Sequence, residues 1–98
     1  MQKFMVTVTL PAEFTGAYVA LIPKQRAMIV KLLSKGKLSS FSLNNTRTTA
    51  WMVANSKSLA SLERMLERFP MHEYFTYEIS ELILHDTEWA GLPKMVLN

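Results

Sequence analysis

Cysteine is absent from the 98 residues, which excludes disulfide staples and thiolate metal sites. Glycine is scarce, and its three residues stand alone at positions 16, 36 and 91, so no glycine-rich phosphate loop can be assembled. Proline occurs four times, too seldom for a long irregular or polyproline stretch. No apolar run approaches the ~20 residues of a membrane-spanning helix. The opening MQKFMVTVTLP lacks the basic start and apolar block of a secretory leader, so a soluble, cytoplasmic protein is expected. Acids are nearly missing from the first half: residues 1–49 hold seven Lys/Arg against a lone Glu13, whereas residues 50–98 hold four against seven acids.

What is present is apolar. Hydrophobic residues make up 49% and aromatics 10%, which argues against disorder and for one packed domain. At this length a lone fold buries less than about two-thirds of its extended-chain surface, so a partner subunit would add stability. Lys24, Arg26, Lys31, Lys35 and Lys37 fall within fourteen residues with no acid among them. Such a run is either a solvated helix face or an attractor for an anionic ligand or for the acidic half of a neighbouring subunit.

From Lys3 to Leu10 the chain alternates, with Phe4, Val6, Val8 and Leu10 on one side and Met5, Thr7 and Thr9 on the other. That is a strand with one buried face, ended by Pro11. Between Thr15 and Lys35 the period becomes helical: Met28, Ile29, Leu32 and Leu33 share a stripe, and Gly36 supplies a stop. Pro23 predicts a kink, or a helix restarting with the proline in its first turn. Lys37 to Ala54 reads as a hairpin turning on Asn45-Thr46, which pairs Leu43 with Thr48 and Phe41 with Ala50. One hairpin face is then Phe41, Leu43, Ala50 and Met52; the other is Ser40, Ser42, Arg47, Thr49, Trp51 and Val53. A second helix opens at Ser56 or Ser58, carries Leu59, Leu62, Leu66 and Phe69, and closes at Pro70. Glu73 to Ile83 is a strand with Phe75, Tyr77 and Ile79 opposite Tyr74, Thr76, Glu78 and Ser80.

The order β-α-β-β-α-β predicts a ferredoxin-like α+β domain over residues 1–83, a four-stranded antiparallel sheet with both helices on one face. Residues 84–98 keep Trp89, Leu92, Met95, Val96 and Leu97, too apolar for a free end, and are expected to form an arm on this subunit or a neighbour.

The helices leave one sheet face uncovered. It combines hydroxyls with the rings of Trp51 and Tyr74, the carboxylate of Glu78 and the guanidinium of Arg47. Large amphipathic rings suit a partly hydrated interface better than open water. Either they bind two copies together, or they wall a pocket in which Arg47, Trp51, Tyr74, Ser40, Ser42 and Thr9 hold a ligand. Glu78 is the candidate acid or base there, with a structural Glu78–Arg47 pair as its plainer role. His72 and His85 lie thirteen residues apart with no third ligand in view, so no metal site is expected. RNA-binding sheets of this topology place stacking aromatics on the central strands. Here those strands offer only Trp51, which argues against nucleic acid.

Several stretches together resemble the muconolactone isomerase family of the dimeric α/β-barrel superfamily, over roughly residues 3–82. They are the strand closing on Leu10-Pro11 and the helix ending Leu32-Leu33-Ser34-Lys35-Gly36. The gapless spacing from Gly36 past Trp51 to Ser58 continues the likeness, followed by Phe69-Pro70-Met71 and Tyr74-x-x-x-Glu78-x-x-x-Leu82. The resemblance implies sheet-to-sheet dimers, often in larger rings, no cofactor, and a small pocket for an apolar organic acid or lactone between sheet and helices. The family's named reaction moves a double bond by proton transfer, and Glu78 matches a family position. Where the family's first helix is acidic, this chain has Lys24, Gln25, Arg26 and Ala27. Ser40 and Ser42 stand where the family has His and Trp, and Arg47 where it has His. Two expectations follow: a cofactor-free homo-oligomer isomerising a small acid or lactone, or an oligomeric interaction or ligand-binding module without catalysis.

Overall fold

The first strand, β1 (Gln2–Thr9), has the burial that its alternation dictates: Phe4, Val6 and Val8 are buried, and Met5 and Thr7 are half-buried on the other side. The structure, a computed structural model, describes residues 1–86. The expected arm over 84–98 therefore lies almost wholly outside the described residues.

Helix α1 (Gly16–Ser34) starts where the Thr15 hydroxyl accepts the Tyr18 N–H at 3.2 Å. It ends at Gly36, whose φ of +74° is left-handed. There the Gly36 and Lys37 N–H groups return to the Leu33 and Leu32 carbonyls, which satisfies the last turn. The helix does not restart at Pro23; Gly16–Ser34 is one element with the proline inside. The carbonyl that Pro23 leaves unpaired, one turn back, belongs to Val19, an exposed residue that water can serve.

Strands β2 (Leu38–Leu43) and β3 (Thr49–Ser56) form the expected hairpin with a different tip. Leu43 pairs with Ala50, Phe41 with Met52 and Ser42 with Trp51, two residues away from the tight-turn register. The cause is Asn44. Its Oδ1 accepts the N–H groups of Thr48 (2.9 Å) and Thr49 (3.0 Å), and its Nδ2 donates to Thr48 Oγ1 (2.9 Å). This side chain organises a wider loop than a two-residue turn and places Arg47 at φ +59°. A shift of two preserves the face of every paired strand residue, though not of Arg47 in the loop. At the far end a bulge between Leu38 and Ser40 frees Ser39, whose Oγ receives Lys3 Nζ and Asn55 Nδ2.

Helix α2 (Leu59–Glu67) is capped by Ser58, which accepts the Ser61 N–H at 3.1 Å. After Phe69 and Pro70 comes a 3₁₀ turn, His72–Tyr74, and only then β4 (Thr76–Leu82). The strand thus begins three residues later than the alternation suggests. Tyr74 N–H bonds to Met71 O, and Phe75 N–H to His72 O, so this segment bonds to itself and not to a neighbouring strand.

The sheet order is β2-β3-β1-β4, antiparallel throughout. With both helices packed on one face, this is the ferredoxin-like βαββαβ arrangement. The core joins Phe4, Val6 and Val8 to Ile29 and Leu32 of α1, Leu62 and Leu66 of α2, and Phe69. No helix among the described residues is long and apolar enough to cross a membrane.

Tyr77 lies on the core side of β4. Its hydroxyl is buried with no hydrogen-bond partner among the described residues, and burial pushes the phenol up to about 12. The unfolded chain therefore loses this proton first as pH rises past the ordinary tyrosine value near 10, and stability falls from there towards 12. Tyr77→Phe is expected to flatten that alkaline limb of a Tm-versus-pH curve without lowering Tm at pH 7.

Candidate functional site

The two sheet faces carry different chemistry, and the strand registers state which side chains meet on each. On the face without helices, Ser42, Trp51, Thr7 and Glu78 form one row across all four strands. Ser40, Val53, Met5 and Ser80 form the next, and Thr49, Thr9 and Thr76 lie beyond Trp51 on the other side. Trp51 is 39% exposed in the single chain. This is an amphiphilic surface with its large ring at the middle of the row.

The other face holds a cavity of about 300 Å³ between α1 and the sheet. Its floor is apolar: Val8 from β1, Phe41 and Leu43 from β2, Ala50 and Met52 from β3. Its wall is one stripe of α1, Tyr18, Ile22, Gln25, Arg26 and Ile29, spaced as a helix must space residues that share a face. Phe14, Met71 and Phe75 close the ends. The size falls at the small end of ligand pockets.

Polar atoms in this cavity are few and placed. Gln25 is 6% exposed, and its Oε1 accepts the Met71 N–H at 3.1 Å. Because a backbone N–H can only donate, the Gln25 amide is fixed with its NH₂ group as the remaining donor. Gln25→Ala is expected to strand the Met71 N–H and lower unfolding free energy by about 1–3 kcal/mol, read from urea melts. Tyr18 stacks on Phe14 at 5.2 Å and meets Tyr74 edge-on at 5.4 Å. Burial raises the Tyr18 phenol above its ordinary value, and the nearby Arg47 guanidinium opposes that rise more weakly. The phenol is thus protonated at neutral pH and able to donate. Arg26 and Arg47 both line the cavity, and no carboxylate or imidazole does so among the described residues.

No family model matches the sequence, and no curated protein matches it either. The architecture does match a solved one: a crystal structure of muconolactone isomerase at 3.3 Å resolution superposes with a TM-score of 0.71. The superposition covers 91% of this chain and 96% of that one, at 18% sequence identity. The chain has a muconolactone isomerase-like fold.

Within that muconolactone isomerase-like fold, the residues singled out in the sequence divide into two groups. Ser40, Ser42, Thr9, Trp51 and Glu78 share the open face. Arg47 lies on the opposite side, at the cavity, because the Asn44-organised loop carries it past the end of the strand. Tyr74 leaves the open face as well, since the 3₁₀ turn removes it from β4 and sets it against Tyr18. A Glu78–Arg47 pair is therefore not formed; the sheet separates them. Arg26 was singled out only as part of the basic run, and Tyr18 and Gln25 were not expected. Their signal was the spacing 18, 22, 25, 29, which a helix broken at Pro23 would have scrambled. Among the described residues no three His, Cys, Asp or Glu side chains gather as metal ligands.

Proposed function

We propose that this protein is a homo-oligomer that binds a small organic acid, with Arg47 as the anion's partner and the α1 cavity as the seat of its apolar body. One observation carries this: a cavity with an apolar floor, lined by two guanidiniums and a neutral phenol, with no carboxylate facing it among the described residues. A ligand with a greasy body and one negative end satisfies both halves of that lining. Tyr18 and the free Gln25 donors suit the carbonyl oxygen of the same acid or of a lactone.

Moving a double bond by proton transfer needs a base beside the abstracted proton. Glu78 has the right chemistry but stands across the sheet from the cavity. The geometry therefore favours binding over isomerisation, and Glu78 falls to the assembly surface with Trp51. If lactone isomerisation is measured and Glu78→Gln abolishes it, the catalytic role returns to Glu78.

Calorimetric titration with small aliphatic and aromatic carboxylates, each paired with its uncharged amide, tests the proposal. The acid is expected to bind at least roughly tenfold more tightly than its amide. Equal affinity for both members of every pair, or none for either, overturns it.

A further inference from the structure

A second concavity, a groove of about 670 Å³, runs between the facing sides of α1 and α2. Lys31 projects from α1 and Arg64 from α2, Lys35 and Arg68 cap the ends of those helices, and Lys37 and Lys57 lie in the connections beside them. These cations occupy the facing stripes by helical spacing. Along α2 and the residues flanking it, positions 57, 61, 64 and 68 follow one another at four, three and four residues. Glu63 and Glu67 sit one residue off that stripe, and no acid lines the groove among the described residues.

Six like charges converging from both walls repel one another, and a concave shape concentrates their field. The C-terminal ends of α1 and α2 lie beside the groove and their dipoles offset part of this charge, about half a charge each against six. The Lys31, Leu32 and Leu33 carbonyls at the end of α1 are already occupied by the N–H groups of Lys35, Lys37 and Gly36. The start of α2, at Lys57 and Ser61, adds the positive end of a helix dipole. Hydroxyls of Ser56 and Ser61 and the Asn55 amide provide further polar contacts, and Met28, Leu32 and Met65 supply an apolar floor.

We propose that this groove is a second ligand site, for a small anion carrying several phosphate groups. Carboxylates would need several molecules to neutralise six cations, whereas an oligophosphate brings adjacent charges spaced to meet both walls. The methionine floor suits an organic body attached to the phosphates, because thioether chains adapt to irregular shapes. Nucleic acid fits less well, since no aromatic ring lines the groove to stack a base.

Titration of the full chain with inorganic triphosphate and with ATP, at low and moderate KCl, tests this directly. Both are expected to bind, more weakly as salt rises. ATP binding more tightly than triphosphate assigns the floor to the organic body; equal affinity assigns recognition to the phosphates alone. Lys31→Glu combined with Arg64→Glu is expected to weaken binding roughly tenfold or more. A milder Lys35→Gln, Lys57→Gln pair, matched to the unmodified chain by circular dichroism, should weaken it in the same direction. Arg47→Ala should leave it unchanged, which separates this site from the cavity. The proposal fails if neither probe binds at millimolar concentration in low salt, or if both groove variants bind as the unmodified chain does. Tighter binding of an oligonucleotide than of either phosphate would also overturn it.

Discussion

On the proposed pairing of open sheet faces, Trp51→Glu is expected to leave a single 11.2 kDa chain at micromolar concentration, seen by light scattering or sedimentation. The substitution removes the largest exposed ring from the open face and leaves a carboxylate in the row that already ends in Glu78. In a face-to-face pair of sheets each change is felt twice, once per copy. Burying a tryptophan at the centre of an interface contributes about 2–4 kcal/mol, so its loss from both copies weakens association by orders of magnitude. The fold itself should survive, because Trp51 points away from the core formed by Ala50 and Met52. Circular dichroism should therefore not change while the mass does. Unchanged mass in the variant, or a lone chain before substitution, would remove the open face from any role in assembly.

Arg47→Ala is expected to weaken carboxylate binding in the α1 cavity about 10–100-fold, the loss of one charge-assisted contact. Arg47→Lys should recover only part of it, since an ammonium cannot present the guanidinium's paired donors. A third substitution separates binding from stability. Arg47 sits at φ +59°, a conformation that costs a residue with a Cβ roughly 1 kcal/mol or more and costs glycine little. Arg47→Gly should therefore raise Tm slightly while losing the ligand. If Arg47→Gly binds the acid as tightly as the unmodified chain, Arg47 is not the anion's partner.

Element order and face assignment were legible because period-2 and helical spacings survive in short segments. Phe4, Val6 and Val8 announce β1, and Leu62, Leu66 and Phe69 announce α2. The candidate site was legible only in pieces. Arg47 and Tyr74 were assigned to the open face by extending strands through residues that local hydrogen bonds divert. Asn44 captures the backbone at one place, and the turn after Met71 folds on itself at the other. Neither diversion changes hydrophobic periodicity, so alternation alone is blind to both. Tyr18 and Gln25 were hidden for a different reason: Pro23 suggested an interruption, yet the stripe they belong to passes straight through it.

The hairpin tip carries one more implication, about parity. Its pairing lies two residues from the tight-turn alternative, and an even displacement keeps Phe41, Met52 and Ala50 turned to oil and Ser42 and Trp51 turned outward. A further slip of the pairing by two residues would keep the same faces. A slip by one would turn every side chain of β2 over unless the strand absorbed the surplus residue in a bulge, as it already does at Ser39.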